Sequence, residues 1–186
     1  MPADFSKHCR GCPYEGARHL DDRFADCEVR PLSMEDNGAS VLLIFQSPGV
    51  EEWRTTRPLA SSNRTSAATR LQLAFTKLHL TRKNFNITNA VQCYQGKAAS
   101  IGGKPPRDDE LCETAIKHCA QWLKLDIENH NYARIVVFGA VAKRSVRDLD
   151  CFPEAKVTYL YHPSGGLRNE ELLAALRAPS HDHDDQ

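Results

Sequence analysis

The segment Val41-Leu42-Leu43-Ile44-Phe45-Gln46-Ser47-Pro48-Gly49 decides the fold. Its first five residues are all apolar, a pattern typical of a strand that is buried on both faces. The polar residues after Phe45, with Pro48 and Gly49, predict a turn directly after that strand. A strand covered on both faces indicates a sheet with helices packed on each side.

The same alternation continues along the chain. Further strands are predicted at 85–91, 135–138 and 157–161, and helices at 65–78, 108–127, 140–149 and 169–176. Strands that alternate with helices predict a three-layer α/β/α sandwich with a central, mainly parallel four-stranded sheet. In such sheets ligands bind at the carboxyl ends of the strands, so the segments that begin at Gln46, Asn89 and His162 are expected to converge.

Length and composition predict one domain, residues 1–178, followed by a disordered acidic tail, 179–186. The chain has 24 basic and 24 acidic residues, but residues 54–83 contain no acid and seven basic side chains, which suits a phosphate backbone. The N-terminus has no apolar leader and no stretch resembles a membrane span. We therefore expect a cytoplasmic monomer that needs neither a membrane nor an obligate protein partner.

Seven cysteines, an odd number, argue against a simple disulfide framework. Cys9 and Cys12 form a close pair, Cys93 lies far downstream, and Cys112 or Cys119 would complete a set of four. In a reducing compartment such clustered thiols more often bind a metal than form disulfides. An iron–sulfur cluster and a zinc ion both accept four cysteines.

The ordered motifs resemble the iron–sulfur branch, often called family 4, of the uracil-DNA glycosylase superfamily, from about Cys9 to Arg168. The family's Gly-Glu-Ala-Pro-Gly corresponds to Phe45–Gly49, and its Arg-Pro-Phe to Arg57-Pro58-Leu59. Its Thr-Asn-Val-Val-Lys-Cys corresponds to residues 88–93, and its His-Pro-Ser motif with a following Leu-Arg to residues 162–168. No single motif match is specific for the family, but the order and spacing of the matches together are a strong signal.

The resemblance implies a uracil-DNA glycosylase-like fold and a four-iron (4Fe-4S) cluster. Its ligands would be Cys9, Cys12, Cys93 and, by register, Cys119, with Cys112 as the alternative and zinc as the less expected metal. The implied catalytic residues are Asn89, which reads the base, His162, which stabilises the departing base, and Gln46, which positions water or the sugar. No lysine in these segments is an evident Schiff-base nucleophile, so a monofunctional hydrolase is expected.

The resemblance also implies a base pocket and a DNA-binding loop. The pocket would be lined by Ser47, Pro48, Gly49 and Leu59. DNA would be bound by Arg57, Ser164, Leu167 and Arg168, with Leu167 as an apolar wedge. Leu167 fits equally well as the first core residue of the last helix, and Arg57 as a solvated surface residue.

Three departures from the family pattern bear on the substrate. The motif glutamate is Gln46, the base-stacking phenylalanine is Leu59, and Gly165-Gly166 follows the histidine motif. Loss of an aromatic platform removes about 1–3 kcal/mol of stacking and opens space. These changes predict excision of a bulky modified pyrimidine, for example hypermodified cytosine in phage DNA, as an antiviral defence. The alternatives are a uracil-DNA glycosylase in DNA repair, a catalytically silent DNA-binding module, and a redox sensor that uses the cluster.

Overall fold

The computed structural model describes residues 9–17, 27–60, 66–93, 113–149 and 156–177. Its centre is a four-stranded sheet of β1 (Val41–Phe45), β2 (Asn86–Asn89), β3 (Arg134–Phe138) and β4 (Val157–Leu160). The strand order is β2-β1-β3-β4, and every neighbouring pair is parallel. The predicted parallel four-stranded sheet is therefore confirmed, with the apolar run 41–45 near its centre.

Helices cover both faces of the sheet. They are α1 (Val50–Thr55), α2 (Ala67–Lys77), α3 (Glu113–Glu128), α4 (Ala140–Leu149) and α5 (Asn169–Leu176). Alternate residues of the strands pack into two separate cores. One contains side chains of α2 and α5, and the other contains side chains of α3 and α4. This arrangement is the three-layer α/β/α sandwich that the sequence predicts.

Several element boundaries differ from the sequence-based expectation. Helix α2 begins at Ala67 rather than Thr65, because the Ser66 hydroxyl accepts a hydrogen bond from the backbone of Thr69 and caps the helix. Strand β2 ends at Asn89, so the predicted extension to Val91 is wrong. Helix α1 was not predicted at all. The predicted start of α3 at Asp108, the Gly- and Lys-rich loop expected at 95–107 and the tail lie outside the described residues.

Leu73 also departs from its expected place. The apolar pattern of residues 65–78 included it, yet its side chain is 66% exposed. Leu71, Ala74 and Phe75 form the buried side of α2 instead. Within the described ranges, no helix is long and apolar enough to cross a membrane.

Candidate active site at the carboxyl edge of the sheet

Asn89 ends strand β2 directly beside the end of β1, because its backbone pairs in register with Phe45. Asn89 is only 2% exposed, and its Nδ2 atom has no hydrogen-bond partner among the described residues. A buried amide donor without a partner costs about 1–3 kcal/mol. Native proteins rarely keep such a group unless it serves a purpose such as binding a ligand.

Gln46 follows the end of β1 and lies next to the segment that follows Asn89. The Val91 backbone N–H donates to the Gln46 carbonyl (2.9 Å), and the Ala90 N–H donates to the Phe45 carbonyl (2.8 Å). The segments after β1 and β2 are therefore joined by main-chain hydrogen bonds beyond the sheet. Gln46 is half-buried, and the predicted convergence of the Gln46 and Asn89 segments is observed.

His162 lies two residues beyond β4 and is fixed from several sides. Its Nδ1 atom is 2.7 Å from the Ser164 hydroxyl, and the edge of its ring faces Phe45 with ring centroids 6.4 Å apart. Gly139, at φ +93°, lies beneath it: a Cβ added there would be 3.5 Å from the His162 Cβ. These contacts hold the imidazole at the same edge of the sheet as Asn89 and Gln46.

Arg70, on α2, holds the loop that carries His162. Its guanidinium donates to the Pro163 carbonyl, to the Leu167 carbonyl (2.8 Å) and to the Asn169 side-chain oxygen (2.7 Å). Three acceptors spread over seven residues thus depend on one side chain from a distant helix. The sequence drew attention to Arg70 only as one of several basic residues, since nothing local reveals these partners.

Arg82 holds the Arg57-Pro58-Leu59 segment in the same manner. It donates to the carbonyls of Pro58 and Leu59 (3.0 Å for Leu59), and its Nε donates to Glu35 (2.6 Å). Leu59 has φ +53°, a left-handed conformation that costs an L-residue about 1–2 kcal/mol. Its side chain is 5% exposed and packs in the core beside Phe45. The hydrogen bonds from Arg82 help to hold this strained residue in place.

Two carboxylates support this region with opposite pKa shifts. Burial alone would raise the pKa of Glu35, but hydrogen bonds from Arg82, Arg57 and Asn37 outweigh it and lower the pKa to about 2. Burial raises the pKa of Glu52 despite hydrogen bonds from the backbones of Gly49 and Leu59. The Gly49 N–H therefore already has a hydrogen-bond acceptor within the protein, the Glu52 carboxylate.

A buried polar network supports Asn89 from the α3 side. Gln92 Nε2 lies within hydrogen-bonding distance of the Asn89 carbonyl (3.2 Å) and of the Thr88 hydroxyl (3.1 Å). The Thr88 hydroxyl donates to Asp126 (2.8 Å). Burial raises the pKa of Asp126 to about 6, against the lowering effect of the hydrogen bonds that Asp126 itself accepts from Thr88 and Gln92. Sequence reasoning missed Asp126 because its partners are 34 and 38 residues away.

The residues expected to bind DNA fall into different environments. Arg57 and Arg168 are exposed and form ion pairs with Glu35 (2.9 Å) and Glu171 (2.7 Å). Leu167 is 4% exposed within the α2–α5 core, so in this structure it is a core residue and not an exposed wedge. Ser164 is exposed, but its hydroxyl is engaged with His162. Arg64, a second candidate from the sequence for a phosphate contact, lies outside the described residues.

Cys9, Cys12, Cys93 and Cys119 lie close enough to influence one another electrostatically, and none of them forms a disulfide among the described residues. Burial raises the pKa of Cys119 to about 12, with contributions from nearby Cys12 and Cys9. Burial likewise raises the pKa of Cys93, helped by all three other thiols. Within the described ranges, however, no group of three or more His, Cys, Asp or Glu side chains has geometry ready to hold a metal ion. The thiols form a loose cluster rather than a finished ligand set.

Backbone contacts explain how the first cysteines reach the middle of the chain. Pro31 forms an antiparallel bridge with Cys93, and the Leu32 N–H donates to the Gln92 carbonyl (2.7 Å). The Val29 N–H donates to the Ala17 carbonyl (2.8 Å). The N-terminal segment is thereby attached to the stretch that follows Asn89. Cys112 and Cys151 lie outside the described residues, and Cys27 is exposed.

Polar side chains at the carboxyl ends of parallel strands are typical of α/β proteins that bind a ligand at this edge. The chain belongs to the Uracil DNA glycosylase superfamily, whose sequence model matches residues 33–180. The match contains all four motif segments and begins after Cys9 and Cys12. A comparison with curated proteins finds no match. Membership of this superfamily indicates DNA glycosylase chemistry and DNA as the partner.

Proposed function

We propose that the chain is a monofunctional DNA glycosylase that hydrolyses the N-glycosidic bond of a flipped-out pyrimidine-type nucleotide. The observation that carries the proposal is the buried Nδ2 atom of Asn89, which has no hydrogen-bond partner in the described part of the chain. A pyrimidine that enters from the duplex or single strand would supply the missing acceptor. In its present orientation the amide suits a carbonyl, as at C4 of a uracil-type base; a half-turn of the amide would suit a cytosine-type amino group.

The reaction divides among three side chains. As the bond between C1′ and the base breaks, the bonding electrons leave with the base, and water adds its oxygen to C1′. His162 donates a hydrogen bond to the base oxygen on which negative charge develops, a role served by a preorganised donor. Gln46 orients the water but accepts no proton from it. The proton released by the water ends on the departing base through solvent, and an abasic site remains.

The proposed substrate is a pyrimidine with a bulky substituent. A Cβ added at Gly166 would meet no atom of the described residues within 4 Å, so the loop after His162 leaves open space beside them. Gly165 differs, because a Cβ there would lie 3.3 Å from the His162 carbonyl. Leu59 also provides no ring on which a plain base could stack. Activity on modified phage DNA would make this a defence enzyme.

The test is abasic-site formation on a panel of DNAs that contain uracil, 5-substituted uracils and 5-substituted cytosines. We expect release of bulky bases, and loss of release in Asn89→Ala and His162→Ala. Gly166→Val should reduce the rate on bulky bases while sparing uracil. Release of uracil alone would favour the repair enzyme. DNA binding without release of any base would favour the silent binding module.

We further propose that Cys9, Cys12, Cys93 and Cys119 hold a 4Fe-4S cluster. Four soft thiols in one region suit iron–sulfur ligation, and the raised pKa values of Cys93 and Cys119 mean that a bound metal would have to displace their protons. The cluster would supply structural cross-linking between the N-terminal segment and the Asn89 segment. Cys119→Ser should lower the iron and sulfide content and the visible absorbance of the purified protein, whereas Cys27→Ser should not. Stoichiometric zinc without iron would contradict the cluster. Activity that changes with the cluster's redox state would favour the redox sensor.

A further inference from the structure

Tyr161 is the most exposed large hydrophobic side chain in the described part of the chain. It is 73% exposed, and only Leu73, at 66%, is comparable. It directly precedes His162 and follows β4, the edge strand of the sheet. A single exposed apolar residue needs no explanation by itself. Tyr161 is notable because it lies directly beside His162, the residue proposed to stabilise the departing base.

The neighbouring surface is basic and aromatic. Tyr159, two residues earlier on β4, lies beneath two cations of α4: Lys143 Nζ is 5.5 Å and Arg147 Cζ is 5.0 Å from its ring centroid. Helix α4 carries three basic residues and one acidic residue. Cation–π contacts at such distances hold the charged groups in place. A fixed pair of cations thus lies on the edge strand that leads to Tyr161.

These features fit one kind of partner. Phosphates bind to fixed cations, and an unpaired base stacks on an exposed aromatic ring. Bases within a duplex are already stacked on both faces and are not free to do so. We propose that Tyr161, Tyr159, Lys143 and Arg147, here called the Tyr161 surface, bind an unpaired stretch of the DNA strand beside the target nucleotide. The inference rests on the proposed function and adds a preference for single-stranded DNA.

The test measures binding of unmodified DNA, so that it does not depend on excision. Fluorescence anisotropy would compare a labelled single strand with the duplex of the same sequence. Tyr161→Ala should weaken single-strand binding about 5- to 150-fold, the range expected for losing one stacked base. Duplex binding should change less than about twofold, and Tyr161→Trp should retain single-strand affinity. Leu73→Ala, an equally exposed change on α2, is the matched control and should leave both unchanged.

A second measurement addresses the cations. The slope of log affinity against log salt should fall by about one in Lys143→Gln and again in the double variant with Arg147→Gln. The proposal for the Tyr161 surface is wrong if Tyr161→Ala changes single-strand affinity no more than Leu73→Ala does, or if it weakens duplex binding as much as single-strand binding. It is also wrong if the main effect of Tyr161→Ala is to change the oligomeric state. If the wild type releases no base but Tyr161→Ala still loses single-strand affinity, the surface stands and the glycosylase proposal fails.

Discussion

Arg70→Ala should cost both stability and activity, because one guanidinium holds the loop of His162 in place. Removing it leaves two main-chain carbonyls, of Pro163 and Leu167, without their donor. A hydrogen bond from a charged donor contributes about 1.5–3 kcal/mol, and Arg70 is half-buried, so the lower value applies to each. The free energy of unfolding should fall by about 3 kcal/mol, which lowers Tm by about 6–12 °C for a chain of this size. Displacement of His162 should slow excision about 10- to 100-fold.

Urea melts and single-turnover abasic-site assays would measure the two effects. Arg70→Lys keeps the charge but cannot reach several acceptors at once, so it should fall between wild type and Arg70→Ala. Millimolar guanidinium should restore part of the rate of Arg70→Ala, which a general loss of stability would not explain. Arg54→Ala is the control: its side chain is 61% exposed and, among the described residues, forms an ion pair only with the exposed Glu51. Arg70→Ala with the melt and rate of Arg54→Ala would refute the reasoning.

Three further predictions concern the same edge of the sheet. The pKa of Glu35 is lowered from 4.5 to about 2, so its ionised form stabilises the fold above about pH 4.5, and this stabilisation is lost as the pH falls toward 2. The free energies of unfolding of wild type and Glu35→Gln, measured in urea melts, should therefore converge over that range. Gly139→Ala should destabilise the fold by about 1–3 kcal/mol, since its φ of +93° strains any side chain, whereas Gly166→Ala should leave the melt unchanged. Ser164→Ala should slow excision without weakening DNA binding if it orients His162; reduced DNA affinity would instead support a phosphate contact.

The fold could be predicted because its determinants are local. The run 41–45 is apolar without interruption, and only a strand covered on both faces accepts such a run. Helix α5 was predicted with its observed bounds, Asn169–Leu176. Helix α1 was missed because six residues with three charged side chains show no apolar face; Glu52, which bonds the Gly49 N–H, is the signal that could have revealed its start.

The site was predicted only in part, because its motif residues are local and their supports are not. Asn89 ends one strand and Gln46 and His162 follow two others, so their convergence follows from parallel topology. Whether Leu167 is a wedge or a core residue depends on how α5 packs, which no local pattern decides. Arg70 and Arg82 act on residues 93 and 24 positions away, and no property of an isolated arginine in the sequence reveals such partners.

Arg70 and Arg82 both hold a loop through its main-chain carbonyls, but they differ in whether an ion pair neutralises the guanidinium charge. Arg82 forms an ion pair with Glu35, so the guanidinium that holds the Pro58–Leu59 backbone adds little net charge to the site. The acceptors described for Arg70 are all neutral oxygens, so its charge is not cancelled by an ion pair among the described residues. A half-buried, uncompensated cation under the His162 loop raises the electrostatic potential where an anionic base departs and where phosphates approach. The same side chain that fixes the loop therefore also favours the charge that the proposed reaction develops there.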